Sequence, residues 1–250
     1  MTQLVPSWLE PFMLADSFAV TALLAVAIWW ASGRAGLTRV KRAAAWLVAM
    51  AVLISWQLLG GMLASAGVFI NQPGHIGPWM GVAIVLPAIL GLAGIAVSST
   101  ARRIVESTPL WALVAIQIHR IEGAVFLILW GGNHLPGAFA LPAGIGDVAT
   151  GLAAPFVGYM IARQPNKRST VVWWNVFGIA DLVIATTTGF LTSPGSAQLL
   201  AHDASNQLIT AYPLALVPLY AVPISFILHG LVWQRLAART PALAALSPAE

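Results

Sequence analysis

Seven long apolar runs divide the chain, and each is close to the length that crosses a lipid bilayer. They cover residues 15–32, 44–69, 79–98, 110–131, 142–162, 171–191 and 213–235. A membrane-spanning helix needs about 20 mostly apolar residues. The runs are continuous rather than alternating, and they are longer than β-strands. The pattern therefore predicts an all-α integral membrane bundle of about seven transmembrane helices.

Basic residues mark every second connection between these runs. They follow the first, third, fifth and seventh runs: Arg34, Arg39, Lys41, Arg42, Arg102, Arg103, Arg163, Lys167, Arg168, Arg235 and Arg239. Of the 12 basic residues, only Arg120 lies elsewhere. Because basic loops stay in the cytoplasm, we predict that the N-terminus lies outside and the C-terminus in the cytoplasm. Tryptophans near the ends of the runs agree with this placement, since indole rings prefer the membrane boundary.

Composition supports one membrane domain and little else. The chain is 59% hydrophobic and 8% charged, whereas soluble domains carry about 25% charged residues. We expect a single transmembrane domain over residues 1–239, followed by a disordered cytoplasmic tail over residues 240–250. The net charge of +4 comes from clusters beside apolar runs, which is a topology signal and not a nucleic-acid surface. With no cysteine, disulfides, thiolate metal sites and C-x-x-C-H haem attachment are excluded, and we expect neither a cofactor nor a metal.

Several polar residues lie inside the predicted spans and form the candidate site. An isolated charge at mid-bilayer costs roughly 2.5–3.5 kcal/mol or more, so such residues tend to serve a function. The candidates for solute binding or a proton relay lie on the fourth, fifth and sixth spans: Gln117, His119, Arg120, Glu122, Asp147 and Asp181. Possible supporting residues lie on the sixth and seventh spans: Asn175, Tyr220 and His229.

Arg120 needs a partner from another helix. On an α-helix, with about 100° per residue, Arg120 shares a side with Gln117 and points away from Glu122. Asp181 is best placed in depth to neutralise it, and Asp147 is second. The fifth span carries small residues that allow a close neighbour: Gly144, Gly151, Ala154 and Gly158. We therefore expect the fourth, fifth and sixth helices to pack around Arg120.

Charge balance points to proton chemistry. Glu122, Asp147 and Asp181 are three acids facing one arginine, and full ionisation would leave net negative charge in a medium of low dielectric constant. At least one of these acids is therefore expected to hold a proton, unless His119 is charged or a cation is bound. A shared proton in a membrane cluster is typical of proton relays and proton-coupled carriers.

Three classes of function stay open at this point. The first is a transporter of a small solute or of protons, in which Arg120 binds an anionic group or fixes a carboxylate. The second is an assembly, sensor or scaffold protein whose polar residues only join helices. For Gln57, Asn175 and His229, that structural role is favoured because each looks solitary.

The third class is a membrane haem or redox protein, which the sequence supports poorly. His119 and His229 differ in depth by roughly 9–10 Å at 1.5 Å per residue, whereas axial histidines need matched depths. A retinal protein is excluded, because both lysines lie in loops. No H-E-x-x-H or G-x-S-x-G motif supports an enzyme, so an enzymatic role is the less favoured interpretation.

Two stretches carry a resemblance to a known family. Residues 117–155 (QIHRIEGAVFLILWGGNHLPGAFALPAGIGDVATGLAAP) and residues 211–229 (AYPLALVPLYAVPISFILH) resemble a family of bacterial multi-pass inner-membrane proteins that has no assigned function. The resemblance covers roughly the C-terminal half of the chain. It implies a bacterial inner membrane, and it implies no substrate, cofactor or catalytic residue.

Overall fold

The computed structural model describes residues 5–70, 79–204 and 206–238, and within these ranges it contains helices and no β-strand. Seven of the helices are long and apolar enough to cross a membrane, so the chain is an all-α, multi-pass membrane protein, as predicted. The helices are α1 Leu9–Arg34, α2 Arg39–Ser65, α3 Trp79–Val97, α4 Ser99–Ser107, α5 Leu110–Gly131, α6 Gly137–Arg163, α7 Arg168–Thr192 and α8 Val217–Ala237. The short α4 is the one that does not span. The predicted tail over residues 240–250 lies outside the described residues.

Contacts between helix ends hold Arg42 and Arg168 at the end of the bundle that carries the basic residues, which we call the basic end. Arg42 Nε donates to the Trp29 carbonyl at 3.0 Å, with its guanidinium carbon 3.9 Å from the Trp29 ring centroid. Arg168 Nη2 donates to the Leu236 carbonyl at 2.5 Å, which ties the start of α7 to the end of α8. The alternation predicted from the sequence is therefore present. Which end faces the cytoplasm stays a prediction.

Four spans, α1, α2, α6 and α7, begin earlier than the apolar runs indicate. Helix α1 starts at Leu9 rather than at residue 15, with Glu10 in its first turn. A negative charge near a helix N-terminus interacts favourably with the helix dipole. Pro11 is tolerated there because backbone N–H groups of the first turn have no partner within the helix. Helix α6 starts at Gly137 rather than at residue 142. The longer α1 matters for the site, because it places Asp16 well inside a transmembrane helix.

Helix α8 is the central helix of the bundle. It packs against α1, α2, α3, α5 and α7, and it is the most enclosed of the seven spans. Its first turn, Val217–Ala221, is π-helical. Pro218 lies in this turn and Pro223 follows it, and because proline has no N–H group it cannot complete the regular bonding pattern. A π-turn in a central helix frequently lies near a functional site.

Helix α5 changes its geometry in its middle. Residues Ile116–Gly123 form a 3-10 helix between two α-helical segments. Helix α6 packs very closely against it: a Cβ added at Gly151 would lie 2.7 Å from the Ile121 nitrogen, and one at Gly158 would lie 2.9 Å from the Trp111 carbonyl oxygen. The prediction that the small residues of α6 allow a neighbouring backbone, here that of α5, to approach closely is confirmed.

Between the two apolar layers of the core lies a polar layer. One apolar layer, towards the end opposite the basic end, includes Val125, Phe139 and Val217. The other, towards the basic end, includes Val114, Val171 and Val232. The middle of α5 lies between them, so its polar side chains are removed from water on both sides.

At the end of the bundle opposite the basic end, Tyr212 donates to Glu10 Oε1 at 2.9 Å. Burial of the Tyr212 hydroxyl, together with this carboxylate, raises the pKa of Tyr212.

Candidate functional site

Arg120 lies at the centre of the polar layer with 1% of its surface exposed. Its Nε donates to Asp147 Oδ1 at 2.8 Å, and its Nη2 lies 2.6 Å from the same oxygen. Nη2 also pairs with Asp181 Oδ2. Nη1 donates to the Gly178 carbonyl at 3.1 Å and contacts His229 Nε2 at 3.0 Å. Four of these contacts are hydrogen bonds and the fifth, from Nη2 to Asp147, is an ion pair, so each of the three guanidinium nitrogens is paired within the protein.

The two acids reach Arg120 from different helices. Asp147 comes from α6 and Asp181 from α7, so both partners expected from the sequence lie against the guanidinium. Glycines make room for them: a Cβ at Gly146 would collide with the Asp181 carboxyl, and one at Gly123 would collide with the Asp147 side chain. The cluster is therefore built into the packing of α5, α6 and α7.

His229 and Asn175 extend the cluster towards the basic end. His229 Nδ1 lies 2.8 Å from Asn175 Oδ1, and Asn175 Nδ2 donates to the His229 carbonyl at 3.4 Å. Arginine has no acceptor, so His229 Nε2 must accept from it and Nδ1 must carry the hydrogen. The imidazole is thus neutral. The expectation that Asn175 and His229 are solitary is wrong, because the long Arg120 side chain bridges the difference in depth.

His119 and Glu122 lie on another face of the 3-10 segment, away from the Arg120 cluster. His119 Nδ1 is 4.0 Å from Glu122 Oε1. A 3-10 helix has three residues per turn, so residues three apart eclipse one another. The predicted six-residue site is therefore divided between two faces. Glu122 faces Asp16 of α1, a residue that the sequence interpretation missed because it started the first span at residue 15.

The other predicted residues contact the cluster less directly. Gln117 Nε2 donates to the Ser225 carbonyl at 3.4 Å, which joins α5 to α8. Tyr220 belongs to a separate group: its hydroxyl lies 2.7 Å from Thr21 Oγ1, which is also 3.0 Å from Gln57 Oε1. Gln57 is therefore not solitary either, and it joins α1, α2 and α8. Tyr220 supports helix packing rather than Arg120.

A small cavity leads from Asp147 towards the end opposite the basic end. Its volume is about 50 Å³, and a water molecule needs roughly 10–15 Å³, so it has room for a few waters. The described residues that line it are apolar except for Asp147, Thr186, Ser193 and Thr210. Asp147 Oδ1 is taken by Arg120, and Oδ2 hydrogen-bonds to none of the described residues. The carboxyl is thus both a ligand of Arg120 and part of the cavity wall.

The arrangement does not match a metal or haem site. Within residues 5–70, 79–204 and 206–238, no three His, Asp or Glu side chains are gathered so that they would hold a metal ion. Both ring nitrogens of His229 are engaged by Arg120 and Asn175, so this histidine offers no lone pair to an iron atom. The donors present instead suit proton binding by carboxyl and imidazole groups.

Comparison with known proteins identifies the family but no relative of known function. No curated protein and no solved structure matches the chain. A family model described as a domain of unknown function, DUF8737, matches residues 77–237, which is more than half of the chain. The matched region contains α3 to α8 and with them every residue of the Arg120 cluster. The chain therefore belongs to the DUF8737 family.

Proposed function

We propose that this membrane protein moves protons across the bilayer and that the Arg120 cluster is its proton-binding centre. The observation that carries the proposal is the position of Asp147, which binds Arg120 through one oxygen and lines a cavity beside it. Following the family resemblance, we place the protein in a bacterial inner membrane. No enzymatic step is proposed.

The charge of the cluster favours a bound proton. Arg120 carries one positive charge at any physiological pH, and its partners Asp147 and Asp181 would carry two negative charges if both were ionised. His229 is neutral by its hydrogen bonding. The ionised cluster would have a net charge of −1 in a region of low dielectric constant, which is unfavourable. One proton on the carboxyl pair makes the cluster neutral.

The geometry favours a proton over a larger solute. Each nitrogen of the Arg120 guanidinium is already paired with an acceptor of the protein, which disfavours an anionic substrate there. The cavity of about 50 Å³ is also far below the roughly 300–1,000 Å³ of pockets that hold drug-sized ligands. Water molecules fit there, and a short water chain is enough to deliver a proton to Asp147 Oδ2.

His229 provides the next acceptor towards the basic end. Its Nε2 lone pair faces Arg120 Nη1, and its Nδ1–H is fixed by Asn175. Protonation of an acid weakens its hold on Arg120, because the neutral carboxyl attracts the guanidinium less. A guanidinium that moves away exposes Nε2 of His229. We infer a path that runs from the cavity through Asp147 and Asp181 to His229.

A purely structural role is the second candidate, and it has its own supporting observation. A guanidinium whose three nitrogens are all paired is also what a permanent link between α5, α6, α7 and α8 requires. In that account the protein is an assembly, sensor or scaffold protein, and the buried pair specifies one arrangement of helices. Proton movement distinguishes the two candidates, since a link that never opens carries no protons.

The test is proton flux in liposomes that contain the purified protein and a pH-sensitive dye. Under a potassium-diffusion potential, the wild type is expected to move protons, whereas Asp147→Asn and Asp181→Asn abolish the flux. Asp203→Asn is the matched control, because Asp203 is an exposed acid in the loop before α8. Folded wild-type protein without flux would leave the structural candidate in place.

A further inference from the structure

The second face of the 3-10 segment carries polar groups that the Arg120 cluster does not use. His119 and Glu122 are one 3-10 turn apart on α5, and their side chains are 2% and 4% exposed. This face packs against α1. It is the face from which Arg120 is turned away, so the same eight residues of α5 present two separate polar groups to two sides of the bundle.

Glu122 does not face a base across this interface but a second acid. The Asp16 carboxyl of α1 lies within hydrogen-bonding reach of the Glu122 carboxyl. An ionised carboxylate only accepts hydrogen bonds, whereas a protonated one also donates. A hydrogen bond between two carboxyl groups therefore contains a proton. Two adjacent carboxylates in a buried site cannot readily both ionise, which is the reason that paired acids share a proton elsewhere.

Unpartnered polar atoms surround this pair. Among the described residues, both ring nitrogens of His119 are buried and lack a hydrogen-bond partner, and so does Glu122 Oε2. Leaving a buried polar atom unpaired costs about 1–3 kcal/mol. His119 Nδ1 lies 4.0 Å from Glu122 Oε1, so the imidazole is directed at the pair but not bonded to it. Three unpaired atoms together indicate a site whose ligand is not part of the chain.

We propose that Asp16, Glu122 and His119 form a second proton-binding site, in which Asp16 and Glu122 share one proton and His119 is the adjacent acceptor. The titratable groups beside Glu122 are Asp16 from α1 and His119 from its own helix, and Asp147 from α6 and Arg120 act on it through their charge from the other face. The proton is expected to reside on Glu122, because Glu122 is more deeply buried than Asp16. The site adds a second proton-binding group to the proposed function, but proton binding at this site does not depend on transport.

Infrared difference spectroscopy of the full-length protein in lipid tests this site at equilibrium. A protonated carboxylic acid has a carbonyl-stretch band that disappears as the proton is removed at high pH. We expect Glu122→Gln and Asp16→Asn each to remove the same band, because the two residues share one proton. Asp203→Asn serves as the control and leaves that band in place. The band of the proton held by Asp147 and Asp181 is expected to remain in both variants. If every carbonyl band of the wild type remains in both, the proposal is overturned.

A second measurement covers the case in which these variants do not fold. In wild-type protein made with glutamate labelled by ¹³C at the side-chain carboxyl, the band is expected to shift to lower frequency. A band that does not shift contradicts the placement of the proton on Glu122. A band abolished by sodium at constant pH means that a metal cation occupies the site, and it overturns the assignment to a proton. If the band behaves as expected while liposomes show no flux, this site stands and the proposed function fails.

Discussion

Arg120 Nη1 and His229 Nε2 lie 3.0 Å apart, and this single contact defines the chemical state of the histidine. Because arginine only donates hydrogen bonds, Nε2 is the acceptor. Asn175 Oδ1 completes the arrangement by accepting from Nδ1 at 2.8 Å. The Trp174 ring lies beside the imidazole, with the ring centroids 5.2 Å apart, and holds its plane. A neutral imidazole with a defined tautomer is therefore the last group of the cluster towards the basic end.

The tautomer is a direct prediction. In protein labelled with ¹⁵N-histidine, the Nδ1 of His229 is expected to carry hydrogen at neutral pH, and Nε2 is expected to be unprotonated. Asn175→Leu removes the acceptor that fixes Nδ1–H, so this variant is expected to populate the other tautomer or the charged ring. His202, which lies in an exposed loop, provides an internal reference. A wild-type spectrum in which His229 carries hydrogen on Nε2 contradicts the described cluster.

Breaking the ion pair from one side is expected to be costly. Arg120→Gln leaves two acids without their counter-ion, and removing one partner of a buried pair destabilises by about 3–5 kcal/mol. Asp181→Asn removes the opposite charge. The double variant is expected to be more stable than the sum of the two single losses predicts, since it leaves one acid, Asp147, without a counter-ion, whereas Arg120→Gln alone leaves two. The free energy of unfolding in mixed detergent micelles measures this, and strictly additive losses would mean that the two residues are not coupled.

Glycine substitutions test the close packing of the cluster without removing a charge. A Cβ at Gly178 would collide with the His229 ring, and one at Gly146 would collide with the Asp181 carboxyl. Gly146→Ala and Gly178→Ala are therefore expected to destabilise by about 1–3 kcal/mol. Gly94→Ala is the matched control, because nothing lies within 4 Å of a Cβ there, and it is expected to stabilise by up to about 1 kcal/mol. Thermal unfolding in detergent gives the order of stability of the three variants. Equal effects at all three positions would contradict the close packing around Gly146 and Gly178.

Filling the cavity tests whether it serves as the route to Asp147. Ala185 lines the cavity and lies four residues after Asp181 on α7. Ala185→Leu is expected to reduce proton flux several-fold, because it displaces the water that reaches the carboxyl. Ala180→Leu makes the same change on the exposed face of the same helix and is expected to leave the flux unchanged. Equal flux in the two variants would show that protons do not use the cavity.

The sequence predicted the seven spans because their signal is a single strong one. A lipid bilayer requires long apolar helices. In addition, 11 of the 12 basic residues lie in or beside every second connection between the spans, which is the pattern expected of cytoplasmic loops. Depth and charge likewise indicated Asp147 and Asp181 as partners of Arg120, since an arginine inside the membrane needs an acid nearby. These conclusions rest on position along a helix and do not require knowledge of which helices are neighbours.

The features that the sequence did not predict depend on helix neighbours and on local geometry. His229 was predicted only as a possible supporting residue, because it looked solitary, whereas the long Arg120 side chain reaches it. Asp16 was missed because α1 starts at Leu9, and an apolar count does not identify a start that contains Glu10 and Pro11. The sequence indicated that Arg120 and Glu122 lie on different sides of α5, but it did not indicate the 3-10 geometry of Ile116–Gly123, because no residue pattern in that segment predicts it.

Proton flux through the wild-type protein tests the central claim most directly. Liposomes that contain the folded protein are given a potassium-diffusion potential, negative inside, and the internal pH is followed with a trapped dye. We predict acidification well above that of protein-free liposomes, and we predict that it is lost in Asp147→Asn while it persists in Tyr220→Phe, which removes only the hydroxyl that contacts Thr21. Acidification by folded wild-type protein that does not exceed the protein-free rate contradicts proton translocation by this protein.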